Sequence, residues 1–271
     1  MWDLKSNLSM RNVTKLLEIS LVWLVVTCAH ADTVSLYAAA GVKAPAEEII
    51  QAFEQRTNHQ VRRHYDTAGT AEAQMMAAIK QGQLASSLLI TTQVRIDKAA
   101  SVGGALQGGQ MRVVGDTLAG VAISKAFGTA LSHTGIGLAV DLKRVLLAAK
   151  RIAFSDPARG ATVGVHFVQV IERLGIKEAV MAKSRVAKDG IETMKWVASG
   201  EVDIGITQMS EILQTDPALL LGAFPPELEL ATRYSSWVSV DASPVVRDLA
   251  AAFASSAGRV ALAKHGLRVP N

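Results

Sequence analysis

The chain has 271 residues, of which 49% are hydrophobic, ample for a packed core, and one large domain or two modest ones would fit this length. Its formal net charge is only +4, and its densest basic spot, Arg62, Arg63 and His64, is too short to follow a nucleic-acid backbone, so no nucleic-acid partner is expected. The single cysteine, Cys28, rules out a disulfide framework within the chain.

The first 31 residues read as an export signal. Lys5, Arg11 and Lys15 give a basic start, Ile19 to Val26 an apolar core, and Ala29-His30-Ala31 the small residues of a cleavage site. The mature chain is then expected to begin near Asp32, in the periplasm, and Cys28 leaves with the leader. The rival reading, a lipid anchor on Cys28, is disfavoured by Thr27 just before it. The apolar run is shorter than the ~20 residues a membrane span needs.

From Thr33 onward, strand and helix signals alternate. Thr33 to Ala40 reads as a buried strand broken by Gly41, and Pro45 opens a helix to Arg56 with Ile49, Ile50 and Phe53 inward. Gln60 to Tyr65 is a strand, Asp66 to Gly69 a turn, and Thr70 is placed as the cap of a helix from Ala71 to Gln81. A strand at Ser86 to Thr91, a helix at Gln93 to Ala100, a glycine-rich loop from Gly103 to Gln110 and a strand at Thr117 to Ser124 follow. The second half repeats the alternation. Val140 to Ala149 is a helix, Ile152 to Phe154 a strand, and Ser155 to Gly160 a polar turn. The next helix keeps Val165, Val168, Ile171 and Leu174 on one expected apolar face and stops at Gly175. Ala182 to Ala187 and Val202 to Thr207 are strands flanking a helix at Gly190 to Ala198. Ile212 to Pro226 reads as irregular, Leu228 to Val240 holds a long strand, and two helices end the chain. This alternation predicts an α/β architecture with mainly parallel sheets and a ligand at the carboxyl ends of strands, where helices begin. Three turns there are rich in small and hydroxyl residues: Ala39 to Gly41, Asp66 to Thr70 and Asp156 to Thr162.

Several landmarks recur in a familiar order: Ala38-Ala39-Ala40 before a helix with Ala46-Glu47-Glu48-Ile49, then Ser155-Asp156-Pro157, Gly200 to Ile206, and Phe224-Pro225-Pro226-Glu227-Leu228. In these the chain resembles the periplasmic substrate-binding proteins of ABC transporters, specifically the molybdate-binding type, across essentially the whole mature sequence. The resemblance implies a type II periplasmic binding fold: two α/β lobes, each a mainly parallel sheet flanked by helices, joined by two crossing segments. The lobes would comprise 32–120 with 228–271, and 121–227. It also implies a monomer that captures a small anion and delivers it to a permease, with no cofactor and no metal.

Carried over residue by residue, the resemblance puts ligand contacts at Ala40 and Gly41, at Thr67, Gly69 and Thr70, at Ala161 and Thr162, at Gly190 and Ile191, and at Gln208. Gly41 replaces a serine usual in the family, Gln208 replaces a tyrosine, and a proline usual before the alanine of the third turn is missing. Arg159 adds a charge and a fork suited to a planar carboxylate, so an organic acid stands beside a molybdate-like oxyanion as ligand. Capping alone would account for Thr70, and His64 and His166 are expected to be partly exposed rather than functional. No metalloprotease, hydrolase, phosphate-loop or dinucleotide motif is present. The competing reading is an isomerase of a small carboxylic acid on the same fold, with His64 or Asp66 moving the proton.

Overall fold

The computed structural model describes residues 32–101, 103–131 and 135–270. Residues 32–270 fall within one compact unit, and the expected export leader lies outside the described residues. The first half runs β1 (Thr33–Ala39), α1 (Lys43–Thr57), β2 (Gln60–Asp66), α2 (Ala68–Lys80), β3 (Ser87–Thr92), α3 (Gln93–Ala100), β4 (Gln110–Ile123) and α4 (Lys125–Ala130). The middle continues with α5 (Ala139–Ala148), β5 (Ile152–Ser155), α6 (Thr162–Arg173), α7 (Lys177–Met181), β6 (Ser184–Ala187), α8 (Gly190–Ala198) and β7 (Ile204–Gln208). Then come α9 (Met209–Thr215), β8 (Leu220–Ala223), β9 (Ala231–Val238), α10 (Pro244–Ala254) and α11 (Ser256–Lys264).

The strands follow the order β2-β1-β3-β9-β4-β7-β5-β6, with β8 beside β4. β1 is parallel to β2 and β3, and β5 is parallel to β6 and β7. β9 and β4 join these two parallel groups: β9 runs antiparallel to β3, and β4 runs antiparallel to both β9 and β7. The residues of β4 up to Leu118 pair with β9, and from Ala119 onward they pair with β7. The Ala119 N–H donates to the carbonyl of Leu230, so β4 and the entry to β9 lie side by side where pairing changes.

Each parallel group has its own core. Leu36, Ile50, Phe53, Leu88, Ile90 and Leu249 are buried between β1, β3, α1 and α10. Phe154, Phe167, Ile152, Ile171, Ile204 and Leu146 fill the space around β5, β7, α5 and α6. A fully buried side chain of this size contributes about 1.5–3 kcal/mol by leaving water. The Phe154 and Phe167 rings pack tilted, 5.1 Å apart.

The sequence reading needs four corrections in this region. Thr67, not Thr70, caps α2: its hydroxyl accepts the Thr70 N–H at 3.2 Å, and the helix begins three residues early. β4 is 14 residues long and takes in part of the expected glycine-rich stretch at Gln110. The segment read as irregular contains α9 and β8. The buried face of α6 is Val163, Gly164, Phe167, Val170 and Ile171, while Val165 is exposed. Gly164 sets that roll. Any side chain there would run into the Ser155 carbonyl, so the helix seats its bare backbone on the end of β5.

Candidate functional site

The carboxyl ends of β1, β2, β5 and β7 point toward one polar cavity, as the ligand rule for α/β sheets anticipates. Its volume is about 30 Å³, room for about two waters. Ala40 and Gly41 line it from the turn after β1, and Thr67 and Ala68 from the start of α2. Ala161, Thr162 and Val163 contribute the start of α6, and Gly190 the start of α8. Helix first turns carry N–H groups without intrahelical acceptors and the positive end of the dipole. No Ala161 side chain caps α6, so that turn opens on the cavity. None of the lining residues is Lys or Arg. Anion binding here would therefore rest on neutral donors.

The floor is built by Thr207, Gln208 and Glu211, where β7 turns into α9. Glu211 is 5% exposed. Its carboxylate accepts the Thr207 hydroxyl and, at 3.1 Å, the Gln208 N–H. Burial pushes this carboxyl up to about 7, the hydrogen bonds from Thr207 and Gln208 pull it back, and the charge of Asp189 adds to the rise. Gly190 lies against the carboxylate so closely that a Cβ would collide with Glu211 and with the Thr207 hydroxyl. The Gln208 side chain donates to Thr232 Oγ1 at 2.9 Å, while its Oε1 is buried without a partner. Tyr234, buried on β9, closes the remaining side. Burial first, then the Glu211 charge, raise its hydroxyl well above the usual phenol range, against a hydrogen bond with Gln208.

Tyr234 also explains Gly41. A Cβ at that position would stand 2.5 Å from the Tyr234 Oη, so a serine there has no room. The phenolic hydroxyl of Tyr234 reaches this turn from β9.

At the rim, Arg159 Nη2 donates to both oxygens of Asp66, at 2.8 and 2.6 Å, and its Nε donates to the Lys188 carbonyl at 3.1 Å. The pairing with Asp66 raises the guanidinium further above its ordinary value. The Thr67 hydroxyl donates to the Arg159 carbonyl, and the Gly69 N–H to the Gly160 carbonyl at 3.3 Å. These contacts tie the turn before α2 to the turn before α6.

Of the residues singled out in the sequence, the cavity brings together Ala40, Gly41, Thr67, Ala161, Thr162, Gly190 and Gln208. Gly69, Thr70, Arg159 and Ile191 stand outside its lining, and the Arg159 fork is occupied by Asp66. Sequence reasoning missed Ser155, Thr207, Glu211 and Tyr234. Glu211 had a signal, an acidic residue three positions after the strand end, the spacing of a helix-capping glutamate. Tyr234 had none, because only strand register brings it here. His64 is exposed and stacks on Tyr37, and His166 Nε2 donates to the Leu228 carbonyl at 2.8 Å. Neither lines the cavity. Among the described residues no group of three or more His, Cys, Asp and Glu side chains could hold a metal.

Residues 34–268 match the family of bacterial extracellular solute-binding proteins, and the chain belongs to it. Within it, the chain is similar to the molybdate-binding protein ModA of Azotobacter vinelandii, at 25% identity over 192 residues, 70% of this chain and 69% of the relative. ModA of Rhodobacter capsulatus is 25% identical over 185 residues, 68% of each chain. The solved periplasmic molybdate-binding protein of Azotobacter vinelandii superposes with a TM-score of 0.67 at 18% identity, covering 88% of this chain and all of that one. The fold is therefore the type II periplasmic binding fold, and the protein is a ModA-like solute-binding protein rather than an enzyme.

Proposed function

We propose that this protein is the exported receptor of an ABC uptake system, capturing a small anion in the cavity and handing it to a membrane permease. The observation that carries this reading is the convergence of three helix starts, at Ala68, Thr162 and Gly190, on a small buried cavity with no cationic side chain in its lining. Backbone N–H groups there replace the hydration shell of a molybdate-like oxyanion or a small carboxylate. The leader is removed near Ala31, and the mature protein works as a monomer in the periplasm. The lobes are 32–120 with 228–271, and 121–227. They hinge where β4 changes partner and where the chain enters β9, and ligand contacts made by both lobes favour the closed form.

Thermal unfolding against molybdate, tungstate, sulfate, phosphate and small di- and tricarboxylates tests this. An anion at 100 times its dissociation constant adds about 2.7 kcal/mol, a rise of several degrees in midpoint for this size. A shift with any of them supports anion capture; no shift with any of them refutes it.

A further inference from the structure

The floor of the cavity carries a buried carboxylate and a buried amide oxygen, acceptors that neutral-donor anion binding does not require. Among the described residues, both hydrogen bonds to the Glu211 carboxylate end on Oε2, leaving Oε1 as an acceptor. The Gln208 Oε1, in the same lining, is buried and has no partner. A buried acceptor without a donor costs stability, so the Gln208 Oε1, beside a carboxylate oxygen that receives no hydrogen bond among the described residues, calls for a donor from the occupant.

Resting on the reading above, we propose that the ligand is a small anion that also donates a hydrogen bond, and that Glu211 is the residue that selects it. The anionic end sits at the helix starts of Thr162 and Gly190. The hydroxyl end points to Glu211 and Gln208. A tetrahedral oxyanion that keeps one proton, or a short hydroxy acid, has both ends; sulfate and molybdate have only the first. A site built to hydrogen-bond a hydroxyl discriminates strongly against an analogue without one, because its buried polar groups are then left unpaired.

The other charged and titratable groups facing Glu211 do not offset its charge. Asp189 at the start of α8 is of the same sign, Tyr234 from β9 is a neutral phenol, and Lys188 points outward with most of its side chain exposed. Asp66 at the rim is already paired with Arg159. Above about pH 7 the carboxylate thus presents its charge to whatever enters.

Calorimetric titration at pH 8 compares phosphate and arsenate, which keep a proton there, with sulfate and molybdate, which do not. A second arm compares glycolate with acetate. The expected result is at least tenfold tighter binding of the hydroxyl-bearing member in one arm, and the arm that shows it tells an inorganic from an organic ligand. In Glu211→Gln, whose amide donates as well as accepts, that preference should fall below about threefold. Should that variant not fold, a pH series on the unaltered protein serves instead. As Glu211 gains its proton, sulfate should bind about tenfold tighter for each unit that pH falls toward about 7, and its affinity should level off below that. Sulfate and molybdate binding as tightly as phosphate, with glycolate no better than acetate, overturns the proposal while leaving anion capture standing. So does a preference that survives Glu211→Gln, or sulfate affinity flat with pH. No binding of any anion overturns both.

Discussion

At the rim of the cavity a carboxylate meets a guanidinium in partly hydrated surroundings. At the floor a carboxylate meets only neutral donors. Asp66 and Arg159 have side chains 16% and 37% exposed and pair at 2.6 Å. Glu211 is buried beside Thr207, Gln208 and Tyr234, and burial moves its carboxyl up toward neutrality. Desolvation dominates where no cation is supplied, and pairing dominates where one is. The rim is therefore suited to holding two turns together, and the floor to sensing the charge and protons of what lies in the cavity.

Breaking the floor should cost most. In Gly190→Ala the new methyl displaces the Glu211 carboxylate and the Thr207 hydroxyl. A buried charge parted from its donors costs about 3–5 kcal/mol, read as a fall in the urea midpoint at pH 8 together with loss of anion binding. Glu211→Gln sharpens the same point through its sign. The folded-state carboxyl is raised to about 7 from 4.5, so the native state holds a proton that the unfolded chain releases between those values. Wild-type stability is then full below about pH 4.5 and falls as pH rises through 7. The variant, which has no proton to lose, should gain relative to wild type by up to about 3 kcal/mol at pH 8 and nothing near pH 4. A stability difference that is flat with pH would contradict the electrostatic account of the floor.

A smaller effect is expected where Tyr234 meets Gly41. Gly41→Ser should cost about 1–3 kcal/mol from overpacking, and Tyr234→Phe in the same chain should recover part of that by removing the Oη that stands 2.5 Å from the added Cβ. Strict additivity in the double variant would mean that the two positions do not share space. The smallest effect belongs to the rim. Because Arg159 is over a third exposed, Arg159→Ala should change thermal stability by at most about 1 kcal/mol, and weaken anion affinity by less than tenfold.

Much of this architecture is written in local patterns. The alternation of short apolar strands with helices, and the small residues at Gly41, Thr67 and Thr162, locate the strand ends that line the cavity, because these features depend on neighbours in sequence. What could not be read depends on partners far along the chain. Arg159 carries no mark that Asp66, 93 residues away, will take its guanidinium. Tyr234 looks like any aromatic in a strand until the pairing of β9 with β3 and β4 brings it to Gly41. The hydrophobic pattern misphases the apolar face of α6 because Gly164, which fixes its roll against Ser155, contributes nothing to that pattern. β4 was cut short because its first half alternates exposed Met111 and Val113 with an arginine and runs out of a glycine-rich loop.

The central claim is that an anion sits on the helix starts facing this cavity. The most direct measurement is the amide spectrum of the nitrogen-15-labelled protein during titration with phosphate and, separately, molybdate. The account predicts that the amides of Gly41, Thr162, Val163 and Gly190 move together along one saturable isotherm with at least one of these anions. Saturable shifts confined to residues away from the cavity, such as the groove between α1 and α11, would contradict it.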